Sequence, residues 1–275
     1  MTNISIIGGD RRNSILSELL EKNGFCIHTY GVESKNSSSF QECVSKSKYI
    51  VTAMPFSNDG VNIYAPTTGQ SIRIQEFTES SKNKVIIGGK FSDSQVAEFE
   101  KSGNIVIDLM KDEELAQKNV IPTVEGIVKI IIENTDVTID ASNIAVLGFG
   151  RIGKRLSKIL KMMGANVYCV DNKKEEVANI ELSGYNVIEN ICADEVFDVV
   201  INTVPKMIIG EKELTKLGKD TLIIDVASKP GGVDYKYANK NNYRVIQALG
   251  IPGKIAPVTA AKYIQEIVKK VIIEV

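Results

Sequence analysis

Short apolar runs alternate with amphipathic segments of helix length along the whole chain. This alternation is typical of βαβ units, in which parallel strands are covered by helices on both faces. In the first half, apolar runs predict strands over Ile4–Ile7, Phe25–Tyr30, Tyr49–Ala53, Lys84–Gly88 and Ile105–Asp108. Helix-like segments lie between them, near Asn13–Asn23, Ser39–Ser47, Ser92–Ser102 and Asp112–Lys118. Met54–Gly69 is rich in turn formers and lacks a period, which predicts a loop.

The second half of the chain shows the same alternation of predicted strands and helices. Its predicted strands are Ile144–Leu147, Asn166–Asp171, Asn186–Ile188, Asp198–Asn202, Thr221–Val226 and Tyr243–Ala248. Its predicted helices are Arg151–Met163, Lys174–Leu182, Glu211–Leu217, Tyr235–Asn241 and a terminal Ala256–Val275.

Pro122 is placed to open a connecting helix between the halves, because proline suits the first helical turn. We therefore predict an α/β fold with two doubly wound parallel-sheet domains, the second a Rossmann dinucleotide-binding domain, joined by a hinge helix. The expected divisions are an N-terminal domain over 1–120, the connecting helix over 121–140, the Rossmann domain over 141–252 and a last helix over 253–275. We expect that last helix to pack back on the first domain.

Net charge, hydrophobicity and the few cysteine and histidine residues argue against several classes of function. The 275 residues carry a formal net charge of −1, which argues against a general binder of nucleic acid or membrane surfaces. Apolar runs are too short to span a membrane, and we expect a cytoplasmic protein. None of the four cysteines forms a CxxC pair, and the one histidine, His28, makes a serine-histidine triad or a multi-histidine site improbable. We expect no metal site.

A glycine motif follows the first strand of the second half. The strand ending at Leu147 runs into GxGxxG and then a helix, as in dinucleotide-binding domains. The helix N-terminus offers N–H groups and a positive dipole to phosphates. The predicted contacts are Gly148, Phe149, Gly150, Arg151, Ile152 and Gly153.

Asp171 ends the next strand, where an acid accepts hydrogen bonds from the ribose 2′-hydroxyl. Its charge favours NAD, although Lys173 and Lys174 after Asn172 could accommodate the phosphate of NADP. We therefore predict NAD or NADP, with Asp171 and Asn172 as contacts and NAD favoured.

Two later loops follow strands at the same predicted sheet edge. Their predicted cofactor contacts are Asn202, Thr203, Val204, Pro205, Ala227 and Ser228. The second loop also carries Lys229, interpreted as a cation for a substrate carboxylate or as an acid, with a solvated surface lysine as the alternative. A third loop, Leu249–Lys254, is expected to close the cleft.

Gly8, Gly9 and Asp10 follow the first strand of the chain but do not form GxGxxG. Either they make a tight turn with Asp10 as the cap of the next helix, or they line the cleft. In the second case Arg11 or Arg12 would meet an anionic substrate.

Several segments together resemble the A-subunit family of dipicolinate synthase. The matching segments are Ile7–Asp10, Pro122–Gly126, Asn134–Ile139, Leu147–Gly153, Ile201–Pro205, Asp225–Tyr235 and Gly250–Ala260. The resemblance implies a family-specific N-terminal domain, a nicotinamide-binding second domain and partnership with a flavoprotein-like B subunit. It also implies oxidation of a dihydrodipicolinate-type ring in the mother-cell cytoplasm during sporulation.

Such a reaction needs groups for two carboxylates and one proton, and no histidine. The hypothesis assigns catalysis to Lys229 and Glu125, the latter also interpretable as a first-turn acid stabilised by the helix dipole. Helix-terminal N–H groups around Gly9 and Thr123 would bind carboxylates. The full predicted substrate set is Gly9, Asp10, Arg11, Pro122, Thr123, Gly250 and Pro252. We expect a small dicarboxylate substrate and a homo-oligomer. The rival hypotheses are another two-domain NAD(P)-dependent dehydrogenase and a non-catalytic subunit that binds nucleotide and organises its partner.

Overall fold

A computed structural model describes residues 1–192, 195–228 and 230–275. The chain divides into two compact units, unit 1 (Met1–Asn119 with Pro252–Val275) and unit 2 (Val120–Ile251). Elements below are numbered along the chain.

Unit 1 is built on a five-stranded parallel sheet in the order β2-β1-β3-β6-β7. The strands are β1 (Asn3–Ile7), β2 (Cys26–Tyr30), β3 (Tyr49–Thr52), β6 (Val85–Gly88) and β7 (Ile105–Asp108). Its helices are α1 (Arg11–Lys22), α2 (Phe40–Lys46), α3 (Ile74–Ser80), α4 (Asp93–Lys101) and α11 (Pro257–Glu274).

Two apolar cores cover the two faces of this sheet. On one face, α1 and α11 pack over Ile4 and Ile6, and Val268 of α11 is fully buried there. On the other, α2, α3 and α4 supply aromatic residues such as Phe77 and Phe99. Burial of both faces explains why the central strands β1, β3 and β6 are largely apolar runs.

Unit 2 contains a six-stranded parallel sheet in the order β10-β9-β8-β11-β12-β13. Numbered along this unit, the order is 3-2-1-4-5-6, that of a Rossmann domain. The strands are β8 (Asn143–Leu147), β9 (Asn166–Val170), β10 (Asn186–Val187), β11 (Val199–Asn202), β12 (Leu222–Asp225) and β13 (Val245–Gln247). The helices wholly within it are α6 (Arg151–Met162), α7 (Lys174–Leu182), α8 (Glu211–Lys216) and α9 (Tyr235–Lys240). The predicted fold class is confirmed.

Pro122 does not begin a helix, so that prediction was wrong. A single helix, α5 (Glu113–Asn134), contains Pro122 in its interior. Proline removes one hydrogen bond from a helix and is usually disruptive there. Here Pro122 is buried, and Val124, Ile127 and Ile131 on the same helix are buried as well, so packing of the apolar face compensates. The boundary between the two units falls within this helix, between Asn119 and Val120.

Two predicted loops contain regular structure. Met54–Gly69 includes β4 (Asn62–Ile63), which forms an antiparallel pair with β5 (Ile72–Arg73). Most of the expected closing loop Leu249–Lys254 belongs to the short helix α10 (Ile251–Ile255). None of the helices in the described part of the chain combines the length and apolarity that a membrane crossing requires.

Candidate functional site

The glycine loop after β8 is shaped by close contacts with its neighbours. Gly148 has φ +90°, and a Cβ there would lie 2.6 Å from Thr203 Oγ1. A Cβ on Gly153 would lie 2.0 Å from the carbonyl oxygen of Gly148. Both positions therefore exclude side chains, one because of its backbone conformation and both because of packing.

Gly150 differs, because a Cβ there would meet open space. It is the N-cap of α6 and provides no side-chain hydrogen bond to the helix. The first N–H groups of a helix have no partner within the helix, and an uncapped N-terminus attracts anions. The loop thus combines room at Gly150 with donors suited to a pyrophosphate.

Asp171 lies beside this loop, as predicted from the sequence. Its Oδ2 accepts the N–H of Phe149 at 2.8 Å, and its Oδ1 accepts the N–H of Lys173 at 3.0 Å. These bonds fix the carboxylate, and each oxygen retains a further lone pair for a ligand hydroxyl.

A cavity of about 270 Å³ opens next to Asp171 at the carboxyl edge of the unit 2 sheet. Its lining residues are Leu147, Gly148, Val170, Asp171, Asn172, Glu189, Asn190, Ile191, Val204, Lys206, Ile208 and Glu213. Sequence reasoning missed Glu189, Lys206 and Glu213. Glu189 comes soon after β10, and a systematic search of the segments after each strand would have flagged it; no motif marks Lys206 or Glu213.

The loop after β11 is held by the side chain of Asn202. This fully buried amide donates to Asp225 Oδ1 at 2.8 Å and to the carbonyl of Val204 at 3.0 Å. Its oxygen accepts the N–H of Val204 at 3.0 Å. Asn202 therefore shapes the loop, while Thr203 donates to the Leu147 carbonyl and Pro205 is exposed.

Asp225 organises this end of the sheet, although the sequence analysis gave it no role. The fully buried carboxylate accepts from Asn202 and from the N–H of Ala227 through Oδ1. Oδ2 accepts the N–H of Gly232 at 3.0 Å and the Tyr235 hydroxyl at 2.5 Å. Burial and the neighbouring carboxylate raise the pKa of Tyr235 well above its ordinary value. An acid at the end of a buried strand was the available signal. Ser228 is exposed, and Lys229 lies outside the described residues.

The turn after β1 contains the helix cap predicted for Asp10, and contact of Arg11 or Arg12 with an anionic substrate stays a prediction. Asp10 caps α1 by accepting the N–H of Arg12 at 2.9 Å, and it also forms an ion pair with that guanidinium. The N–H of Gly9 is donated to the carbonyl of Tyr64 at 2.7 Å. The prediction of a ligand-binding N–H at Gly9 was therefore wrong. Arg11 is exposed.

Thr123 also cannot offer a helix-terminal N–H, because it lies in the interior of α5. Pro122 and Thr123 are buried, whereas Glu125 is exposed, far from the first turn that the dipole interpretation required. Gly250 is exposed with φ +66°, and Pro252 is part of α10. The substrate roles of these residues stay predictions.

Comparison with known proteins distinguishes the two parts of the chain. Residues 3–110 match the family model for the N-terminal domain of the A subunit of dipicolinate synthase. Residues 131–231 match that of the NAD-binding domain of D-isomer specific 2-hydroxyacid dehydrogenases. The A subunit of dipicolinate synthase from Bacillus subtilis (strain 168) is 36% identical over 176 residues, an alignment that spans 62% of this chain and 58% of that relative.

The chain is similar to the A subunits of dipicolinate synthase, by the family model over residues 3–110 and by this relative. Two crystal structures of this family are similar to it. The one from Bacillus halodurans has a TM-score of 0.88 at 27% identity and covers 98% of this chain and 97% of that one. The one from Bacillus subtilis has a TM-score of 0.84 at 26% identity, with coverage of 99% and 96%. The match over residues 131–231 identifies a dehydrogenase-type domain that binds a nicotinamide dinucleotide.

Proposed function

We propose that the chain oxidises a dihydrodipicolinate-type ring to dipicolinate (pyridine-2,6-dicarboxylate) with NAD or NADP. The observation that carries the proposal is the combination of two features in one chain. The family-specific domain occupies residues 3–110, and the glycine loop at α6 has the open, uncapped N-terminus that a dinucleotide pyrophosphate needs.

The residues of unit 2 fit a dinucleotide along its length. The pyrophosphate would be held by N–H groups near Gly150 and Ile152, and the adenosine ribose by Asp171. The loops after β11 and β12, fixed by Asn202 and Asp225, would receive the nicotinamide half, since ligands bind at the carboxyl ends of parallel strands.

The proposed reaction removes two hydrogens from the ring. A bound nicotinamide would accept a hydride from the ring and be reduced, and a proton would be released. Since the product is aromatic, much of the driving force resides in the substrate. The protein has to bind the carboxylates, hold the reacting carbon at hydride-transfer distance and accept the proton.

We infer that NAD is preferred over NADP. The cavity beside the loop has three acidic side chains, Asp171, Glu189 and Glu213, and one basic side chain, Lys206, in its lining. An additional phosphate on the ribose would be repelled by this excess of negative charge. Lys173 contacts Asp171 through its backbone N–H.

For the proton and one carboxylate we retain Glu125 and Lys229 as the groups to test. Glu125 is exposed, so it could pass a proton to water. If the substrate still carries a 4-hydroxyl group, either residue could assist its elimination. Full turnover in both Glu125→Ala and Lys229→Ala would remove these residues from the mechanism. Glu133→Ala is the control, because Glu133 is an exposed glutamate of the same helix.

The proposal extends to assembly and location. We propose partnership with a flavoprotein-like B subunit, homo-oligomerisation of this chain and function in the mother-cell cytoplasm. Gel filtration and light scattering of the chain, with and without the B subunit, measure both associations. A fluorescent fusion imaged during sporulation measures the location.

The decisive experiment is reconstitution. Purified chain, with and without the B subunit, receives freshly prepared dihydrodipicolinate precursor and NAD or NADP, and dipicolinate and reduced nicotinamide are quantified. The expected result is one NADH per dipicolinate. Activity only with NADP would overturn the NAD preference alone. Product without nicotinamide reduction would overturn the dehydrogenase role and leave a nucleotide-binding subunit.

A further inference from the structure

Unit 1 has its own ligand-binding topology, independent of the glycine loop. Its sheet order reverses between β1 and β3, since β1 connects outward to β2 and β3 connects in the other direction to β6. Helix α1 packs on one face of the sheet and α3 on the other. In open parallel sheets, ligands bind outside the carboxyl ends of the strands at such a reversal.

Arg12 occupies this position. Its Nε and Nη2 donate to Asp10, after β1, at 2.9 and 2.8 Å. Nη2 also donates to the carbonyl of Met54, after β3. The guanidinium thus bridges the two loops that flank the reversal, and only 9% of the side chain is exposed.

Its unused donors point to a ligand. A guanidinium carries five N–H groups, of which Nε and Nη2 supply three. Nη1 has no hydrogen bond to the described residues and is not among the buried side-chain atoms that lack a partner, so it remains in contact with solvent. Nη1 lies away from the Nε–Nη2 edge that Asp10 occupies. Two N–H groups of this largely buried cation therefore have no hydrogen-bond partner among the described residues, while its other three are held in place.

Gly253 holds the guanidinium from a distant part of the sequence. A Cβ at this position would lie 2.8 Å from Nε and 3.2 Å from Cζ of Arg12. The backbone of α10 therefore packs directly on the arginine, and any side chain there would displace it. The segments around residues 10 and 253 meet at this one group.

We propose that Arg12 binds a carboxylate group of the substrate through Nη1, with Asp10 and Gly253 as positioning residues. A buried, pre-oriented guanidinium is suited to a planar carboxylate, and charge-assisted hydrogen bonds of this kind are the stronger ones. The identity of the carboxylate as part of a pyridine-type dicarboxylate rests on the proposed function.

The test is a calorimetric titration of the full chain with dipicolinate, with and without saturating NADH. Arg12→Gln is expected to weaken dipicolinate binding by about tenfold or more, and Arg12→Lys by less. Gly253→Ala, which keeps the arginine but moves it, is expected to weaken binding by several-fold. Lys82→Gln removes one exposed charge from the same unit and is expected to change nothing. Methyl NMR spectra of the isoleucines in unit 1 check that each variant is folded.

Each outcome bears on one claim. A folded Arg12→Gln that binds dipicolinate as tightly as the wild type overturns the proposal for Arg12. If that variant fails to fold, unchanged affinity in Gly253→Ala overturns it instead. A wild-type chain that binds NADH but no dipicolinate overturns the proposed substrate and this inference with it. NADH affinity is expected to be equal in all variants, because the dinucleotide residues belong to unit 2.

Discussion

In each unit the strand order of the sheet reverses beside the unit's first strand, β1 or β8. The helix that follows this strand begins at the same edge of the sheet. In unit 2 that helix is α6, whose cap is Gly150, with open space in place of a side chain. In unit 1 it is α1, whose cap is Asp10, a carboxylate that already occupies the helix terminus and binds Arg12.

The difference shows two ways in which one topology can present positive charge to an anion. Unit 2 presents backbone N–H groups, which suit a phosphate that approaches the main chain closely. In unit 1 the carboxylate of Asp10 occupies the N-terminus of α1, and the guanidinium of Arg12 is the group presented instead. A guanidinium suits a planar carboxylate. The residue at the cap decides which of the two is available.

The largest expected effect comes from Asp10→Ala, which removes both the cap of α1 and the partner of a buried arginine. We expect a loss of about 3 kcal/mol in the free energy of unfolding, since a buried charge is left unpaired. Urea denaturation measures it. Asp234→Ala is the matched control, because Asp234 caps α9 by accepting the N–H of Tyr237 and is part of no described ion pair. Its expected loss is about 1 kcal/mol. Equal losses would contradict the role given to Arg12.

Gly150→Asp gives α6 an aspartate at the N-cap, the residue type that caps α1. We expect dinucleotide affinity to fall about a hundredfold, about 2.7 kcal/mol, because a carboxylate would repel the pyrophosphate. The melting temperature should stay nearly constant, since aspartate and glycine differ little as caps. Fluorescence titration with NADH measures the affinity. Asn239→Asp adds the same charge at an exposed position of unit 2 and should bind normally. Normal binding by Gly150→Asp would refute the phosphate role of this loop.

Asp171→Asn tests the acid that completes the unit 2 site. We expect the preference for NAD over NADP to fall about tenfold, about 1.4 kcal/mol, because the repulsion of the 2′-phosphate is reduced. Paired titrations with NADH and NADPH give the ratio, and Asp220→Asn, at an exposed position, serves as the control. An unchanged ratio would assign the preference to Glu189 and Glu213.

Tyr235→Phe contrasts the fully buried carboxylate of Asp225, which accepts from neutral donors, with the half-buried carboxylate of Asp10, which pairs with a guanidinium. We expect a loss of about 1 kcal/mol at neutral pH. The raised pKa of Tyr235 stabilises the fold below pH about 10, and this contribution is lost as pH rises further, because the unfolded tyrosine ionises first. The variant should therefore lose stability less steeply above pH 10. Thermal melts across pH, with Tyr243→Phe as control, measure the slope. Identical slopes would refute the linkage.

The features that could be predicted from the sequence are those that depend on residues close to one another along the chain. The strands predicted for the two parallel sheets agree with the structure within one or two residues, because strands buried on both faces are largely apolar. The short antiparallel pair of β4 and β5 was not predicted. The glycine loop could be predicted because much of its requirement for glycine is local: Gly148 has φ +90°, and a Cβ on Gly153 would meet the carbonyl oxygen of Gly148. The contact between Gly148 and Thr203, from a distant segment, could not be predicted.

Features that depend on distant residues could not be predicted. Pro122 has the local character of a helix start, and only the packing of the α5 apolar face reverses that expectation. Arg12 and Arg11 are indistinguishable in sequence. Arg12 is distinguished by contacts with Met54 and Gly253, which come from two other segments of the chain.

The apolar cluster between α1 and α11 joins residues that are far apart in the chain. Ala261, Ile264 and Val268 of α11 share one apolar cluster with Ile4 and Leu16, while unit 2 is a single continuous segment between them. As the chain leaves the ribosome, unit 2 has all its residues before unit 1 does. At ordinary rates of elongation, the time between synthesis of the unit 1 strands and synthesis of α11 is on the order of ten seconds. During this time, α11 does not yet cover its face of the unit 1 sheet, and that face is available to chaperones. The nucleotide-binding half can therefore mature first.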